Sequence, residues 1–196
     1  MSVALVDSGG ANIGSVRYAL QRLGVEAALT SDAADIRAAD HVILPGVGAA
    51  APAMARLGAT GLVEVIRSLT QPVLGVCLGM QLLCARSAEG DVGCLGLIDA
   101  NVQRFDDGGG LRVPHMGWNR VQGVVPNSLL AGDTGEGWAY FVHSYAVPVC
   151  AATLATCDYG GEFSAAVRRD NFFGVQYHPE RSAAFGVATL RNFLAS

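Results

Sequence analysis

Four short apolar runs before residue 77, separated by stretches of helical periodicity, constrain this chain more than any other feature. The first, Val3–Val6, runs into the turn cluster Asp7-Ser8-Gly9-Gly10. Asn12 can then cap a helix whose apolar face carries Ile13, Val16, Leu20 and Leu23 and which closes at Gly24. Residues 25–29 read as the second strand and Ala33–Ala38 as a short helix. Residues 42–44 form a buried strand that breaks at Pro45-Gly46, and helices follow over 50–57 and 62–69. The fourth run, 73–76, turns into a helix at Cys77. Apolar strands joined by helices of this length predict a parallel sheet with right-handed crossovers, covered on both faces.

After about residue 92 the pattern changes. Strands are expected over 102–105, 138–142, 153–157, 163–167 and 172–175, joined by Gly-rich or Asp-containing turns such as Asp106-Asp107-Gly108-Gly109-Gly110. A last helix, Ala183–Leu194, presents Phe185, Val187, Leu190 and Leu194 at near-helical spacing. No linker rich in Pro, Gly and Ser divides the chain, and no internal repeat is visible. The expectation is one α/β domain over residues 1–196, with a mostly parallel central sheet flanked by helices and a smaller antiparallel extension.

Composition removes several classes of function. The chain is 51% hydrophobic and 15% charged, which describes a folded globular protein. Its net charge is -4 and its basic residues are scattered singly, so neither a nucleic-acid surface nor a polybasic membrane anchor is expected. All 13 basic side chains are Arg, which excludes a Schiff-base lysine. Five cysteines, an odd number with no two-residue separation, fit a reduced cytoplasmic protein without a zinc site. The N-terminus lacks a signal-peptide pattern. The uncharged stretch 68–85 contains Gln71, Pro72, Gly75, Gly79 and Gln81, which suit a strand, turn and helix better than a lipid-facing span. No phosphate-binding loop or metal cluster is apparent, so no cofactor or metal is expected.

The strongest local signal is Gly75-Val76-Cys77-Leu78-Gly79. A nucleophile between two glycines, after an apolar strand and before a helix, is the pattern of a nucleophile elbow. The turn lifts the thiol above the strand end at a helix N-terminus, whose partial positive charge favours thiolate, and aims the Leu78 N–H at a developing oxyanion. A buried core cysteine in a tight turn is the alternative. A thiolate nucleophile needs a base, and the candidates are His41, His115, His143 and His178. His178 lies just beyond an apolar strand in Gln176-Tyr177-His178-Pro179-Glu180, where Glu180 is spaced to hold the imidazole tautomer. Taken alone, His178 could also be an exposed turn residue.

Cys77-Leu78-Gly79-Met80-Gln81 together with His178-Pro179-Glu180 resembles the class I (triad) glutamine amidotransferases. More narrowly, the chain is similar nearly end to end to the branch that supplies the glutaminase subunit of imidazole glycerol phosphate synthase. Asp7-Ser8-Gly9-Gly10-Ala11-Asn12 resembles that family's opening, Pro45-Gly46-Val47-Gly48 its oxyanion strand, and Pro114-His115-Met116-Gly117-Trp118-Asn119 and Tyr140-Phe141-Val142-His143-Ser144-Tyr145 its most distinctive segments. Ser8 stands where the family often has Tyr, and Arg181 where Lys is common.

The resemblance implies a role for each matched residue. Cys77 would attack the carboxamide of glutamine, His178 would carry the proton, and Glu180 would orient the imidazole. Oxyanion donors would be the Leu78 N–H and the backbone of Val47 and Gly48, whose flanking glycines leave that peptide free to rotate. Gly46, Gln81, Glu89, Ser144 and Tyr145 would surround bound glutamine, with Glu89 meeting its α-ammonium unless it is an ordinary solvated carboxylate. His143 would shape the pocket or be structural; His115 clusters with Met116 and Trp118. Asn12, Trp118 and Tyr140 would face a partner subunit; the alternatives are that Asn12 only caps a helix and that Trp118 is core. That partner would be a (β/α)₈-barrel cyclase using the ammonia to make imidazole glycerol phosphate in histidine biosynthesis. Competing readings are an amidotransferase for vitamin B6, tryptophan or folate-related synthesis, and a non-catalytic regulatory subunit.

Overall fold

In the computed structural model, which describes residues 1–9, 13–130 and 136–196, strand and helix alternate through the first half of the chain. The order is β1 (Val3–Val6), α1 (Ile13–Arg22), β2 (Ala27–Thr30), α2 (Ala33–Ala38), β3 (His41–Gly46), α3 (Ala50–Ala59), α4 (Leu62–Arg67), β4 (Val73–Cys77) and α5 (Leu78–Leu83). Local chemistry sets the boundaries. The Asp32 carboxylate caps α2 by accepting from the Ala34 and Asp35 N–H groups at 2.7 and 3.2 Å. The second half contributes β5 (Cys84–Ser87), β6 (Val92–Gly93), β7 (Ile98–Arg104), β8 (His115–Gly123), β9 (Gly137–His143), β10 (Tyr145–Ala146), β11 (Thr153–Asp158), β12 (Glu162–Arg169), β13 (Phe172–Val175) and α6 (Ala183–Leu194). Asn12, expected as a helix cap and partner contact, lies outside the described residues.

The main sheet has nine strands in the order β2-β1-β3-β4-β13-β12-β11-β8-β9. From β2 to β13 every pairing is parallel; from β13 to β9 every pairing is antiparallel. The antiparallel part is therefore no small appendage. It continues the parallel sheet through β13, which pairs with β4 on one side and β12 on the other. A separate four-stranded sheet, β10-β7-β5-β6, is the smaller unit.

Side-chain alternation divides the core in two. Leu5, Ile43, Leu74 and Val76 point into one cluster with Leu20 of α1 and Leu190 and Phe193 of α6. Their neighbours Ala4, Val6, Val42, Leu44 and Val73 point into the other, with Leu57 of α3, Ile66 of α4 and Leu82 of α5. Strands buried on both faces explain why the first half reads as continuous apolar runs.

Two departures from the sequence expectation bear on the site. Strand β3 does not break at Pro45 but runs on, pairing Pro45 with Val76 and Gly46 with Cys77. Its pairing with β1 ends at Ile43, so the missing proline N–H costs no ladder bond on that side. Strand β8 is not predicted by periodicity: Gly117, Asn119 and Gln122 dilute it, and Met116 and Trp118 are apolar yet exposed. The far end of the main sheet also returns to its middle, because the His178 N–H donates to the Tyr140 carbonyl of β9 at 2.9 Å. Among the described residues, no helix is long and apolar enough to cross a membrane.

Candidate active site

Cys77 sits where β4 becomes α5, at φ 52° and ψ −110°. Left-handed φ is unfavourable for a residue with a Cβ, and it persists here because the surroundings leave no other path. Three glycines make the close packing possible. A Cβ on Gly79 would overlap the Leu44 carbonyl oxygen, and one on Gly75 would lie 2.6 Å from the Gly79 carbonyl. On Gly46 it would lie 2.8 Å from the Gly79 nitrogen and from Leu78 Cβ. Strands β3 and β4 thus meet α5 backbone to backbone, and Cys77 is placed at the strand end in the geometry of a nucleophile elbow.

His178 follows β13, the strand paired with β4, so parallel register carries it to the same sheet end as Cys77. Its backbone is fixed from two sides: the N–H by Tyr140, and the carbonyl by the Ser182 hydroxyl at 2.7 Å. Its Nδ1 donates to Glu180 Oε1 at 2.9 Å, with both side chains almost wholly buried. Nε2 is buried without a hydrogen-bond partner among the described residues. Burial opposes charge on this ring most strongly, but the Cys77 sulfur and the Glu180 carboxylate together reverse it and raise its pKa to about 10. The arrangement is a sulfur nucleophile, a basic imidazole oriented through Nδ1, and the carboxylate behind it.

Beside the thiol opens a cleft of about 410 Å³. Val47, Gly48, Leu78, Gln81 and Glu89 line it on the elbow side, and Val142, His143, Ser144 and Tyr145 on the other, with His178 and Arg181 between. Gly48 has φ +99°, a conformation suited to glycine. Gly46, expected to touch a ligand, is not on the cleft wall but behind it, packed against Leu78 and Gly79. Glu89 is not a free loop carboxylate. It is half-buried and accepts from the Ala50 N–H at the start of α3 at 3.1 Å, and burial raises its pKa more than that bond lowers it.

His143 and His115 form a buried pair, Nε2 of the first to Nδ1 of the second at 3.1 Å. Burial pushes their pKa values down to about 3 and about 4, so both are neutral, and His115 stacks on Tyr159 at 4.0 Å. His143 also lines the cleft. Trp118 is not core: it is 51% exposed, beside half-buried Tyr140 at 6.2 Å between ring centroids. Arg181 lies 4.5 Å over the Tyr140 ring. Exposed Trp138 extends this surface and was not singled out by sequence, nor was Gln176. Gln176 is fully buried, with Nε2 3.6 Å from the Cys77 sulfur. It lies in the bend after β13, two residues before His178, and no local pattern marked it.

A family model described as glutamine amidotransferase class-I matches residues 4–196. The chain is 57% identical over 192 residues to the imidazole glycerol phosphate synthase subunit HisH of Xanthomonas axonopodis pv. citri, covering 98% of this chain and 96% of that protein. The protein of the same name from Xylella fastidiosa strain Temecula1 is 56% identical over the same shares. Among solved structures, PurLQS from Thermotoga maritima superposes with TM-score 0.76 at 18% identity, covering 99% of this chain and 97% of that one. A structure described as a glutamine amidotransferase gives the same TM-score at 19% identity, over 98% and 97%. The last two matches speak for the fold, the first two and the family model for descent: this chain belongs to the class-I glutamine amidotransferase family.

Proposed function

We propose that this chain is the glutaminase subunit of an imidazole glycerol phosphate synthase, working in the cytoplasm as half of a heterodimer. The observation that carries the chemistry is the left-handed Cys77 at φ 52° beside a His178–Glu180 pair closed at 2.9 Å. The thiol proton passes to His178 Nε2, which its raised pKa favours, the sulfur then attacks the glutamine carboxamide carbon, and the carbonyl oxygen becomes an oxyanion. The Leu78 N–H and a backbone N–H of the Val47-Gly48 segment receive it. Collapse breaks the C–N bond, His178 returns the proton to the departing ammonia, and a glutamyl thioester remains. Water, deprotonated by the same imidazole, releases glutamate and restores the thiol.

Glutamine fits the cleft chemically. Glu89 is a half-buried carboxylate for its α-ammonium, and Gln81, Ser144 and Tyr145 are polar groups that can fix the rest. The name carried by the 57% identical relative supports the narrower reading, a subunit that feeds ammonia to a (β/α)₈-barrel cyclase. Exposed Trp118 and half-buried Tyr140, near the cleft's His178 side, suit an interface with that partner, and Asn12 is assigned there by resemblance. Glutamate release should be measured for this chain alone, then with the cyclase and its nucleotide ligand. Strong stimulation lost in Cys77→Ala, with synthesis from ammonium salts intact, supports the proposal. Activity indifferent to the cyclase moves the chain to another amidotransferase branch, and no activity in either condition overturns the glutaminase role.

A further inference from the structure

The buried polar groups behind the thiol form one chain whose hydrogen-bond directions can be worked out from its fixed points. The Tyr145 carbonyl can only accept. Gln81 approaches it with Nε2 at 2.8 Å, so the Gln81 amide must turn its NH₂ group there. The same Nε2 lies 3.0 Å from Gln176 Oε1, which takes the second hydrogen. Gln176 is then left with its own NH₂ facing the other way, toward the Cys77 sulfur at 3.6 Å. Reversing Gln81 would set its oxygen against the Tyr145 carbonyl, and reversing Gln176 alone would set its NH₂ against that of Gln81, in a buried space.

His143 secures the anchor from the other side. Its Nδ1 meets the Tyr145 carbonyl at 2.8 Å and so carries hydrogen, which makes Nε2 an acceptor for His115 Nδ1. His115 Nε2 then accepts from Asn119 Nδ2 at 3.3 Å. Every direction in the chain agrees.

We infer that Gln176 is a positioning residue for the nucleophile: it presents an N–H to the Cys77 sulfur, in an orientation imposed by Gln81 on the Tyr145 carbonyl. This inference rests on the reading of Cys77 as the nucleophile. An N–H aimed at sulfur stabilises the thiolate and holds it in place while His178 takes the proton. It also reassigns Gln81. Both of its amide hydrogens are committed within the protein, so only its oxygen can serve a ligand. Other titratable groups facing Cys77 are His178, backed by Glu180, and neutral His143, with Arg181 and Glu89 on the same cleft wall.

The test is the pH profile of Cys77 alkylation by iodoacetamide, followed by mass at its own peptide, in wild type and in Gln176→Met. This readout needs neither glutamine nor a partner, so it stands or falls separately from the proposed activity. Methionine keeps the length and removes the donor. The expected result is an alkylation midpoint moved upward by about one pH unit, with glutamine hydrolysis about tenfold slower in kcat and KM within about twofold. An unchanged profile in folded Gln176→Met overturns the inference. If that variant does not fold, the wild-type protein decides. The Gln176 side-chain amide resonance should shift when Cys77 alone is alkylated, and a resonance that ignores the modification overturns the inference equally.

Discussion

The two halves of the main sheet solve different problems. In the parallel half, β1, β3, β4 and β13 are buried on both faces and make one thing with precision, a strained elbow held by glycines that tolerate no Cβ. In the antiparallel half, β8 and β9 have one wet face, place exposed aromatics outward, and turn neutral histidines and backbone carbonyls inward. Covalent geometry comes from the first half and polar orientation from the second. A strained position requires a packed, apolar scaffold around it, whereas a directed polar chain requires partners that alternate with surface residues.

The sharpest way to break this division is Gly79→Ala. The added methyl overlaps the Leu44 carbonyl, and a loss of roughly 3 kcal/mol or more is expected in denaturant unfolding. Gly93→Ala in β6, where a Cβ meets nothing within 4 Å, should stay within about 1 kcal/mol of wild type. Equal effects would remove the claim that the elbow is a backbone contact.

Next in size is Glu180→Gln, which leaves the ring a partner but removes the charge behind it. Glutaminase kcat should fall on the order of a hundredfold with little change in melting temperature. A variant as active as wild type would show that the carboxylate is not needed to orient His178.

The antiparallel half makes a pH prediction. His115 and His143 stay neutral when folded, with pKa values pushed to about 4 and about 3, while in the unfolded chain they take up protons below about 6.5. Their contribution is fully present above pH 6.5 and is lost as pH falls toward 4 and 3. Each accounts for about 1.4 kcal/mol per pH unit over the steepest part of that range. Urea unfolding at pH 7.0 and 4.5 should show the acid loss, and His143→Gln should lessen it. An acid limb of the same slope in that variant would reject the assignment.

The smallest intramolecular effect is expected at the wet face. Trp118→Ala should alter the stability of the isolated chain by less than about 0.5 kcal/mol, yet weaken capture by the barrel cyclase about tenfold in titration calorimetry. Unfolding of the isolated variant would instead make Trp118 a packing residue.

The parallel half was largely legible in sequence because its signals are local. Strand 73–76, the Gly-x-Cys-x-Gly turn and helix Ala183–Leu194 each declare themselves within a dozen residues. The reach of the antiparallel half was not. Strand β8 carries glycine and asparagine at inner positions, and its pairing with β11 joins residues more than thirty apart, Gln122 with Thr156. Likewise, Cys77, His178 and Glu180 were singled out by their motifs taken together, and the structure brings them to one sheet end, whereas the contacts of Gln176 run to Gln81 and the Tyr145 carbonyl, groups that no local pattern connects. Glu89 was named from the resemblance, but the Ala50 N–H that holds it lies thirty-nine residues away and had no local signal.

Tyr140 joins the two halves through a single residue. Its ring lies under Arg181 beside Trp118, while its carbonyl holds the backbone of His178. The outer surface and the base are therefore one hydrogen bond apart, joined by the residue whose ring faces Trp118 and whose carbonyl holds the His178 N–H. A surface residue and a buried base thus sit on opposite ends of one backbone hydrogen bond.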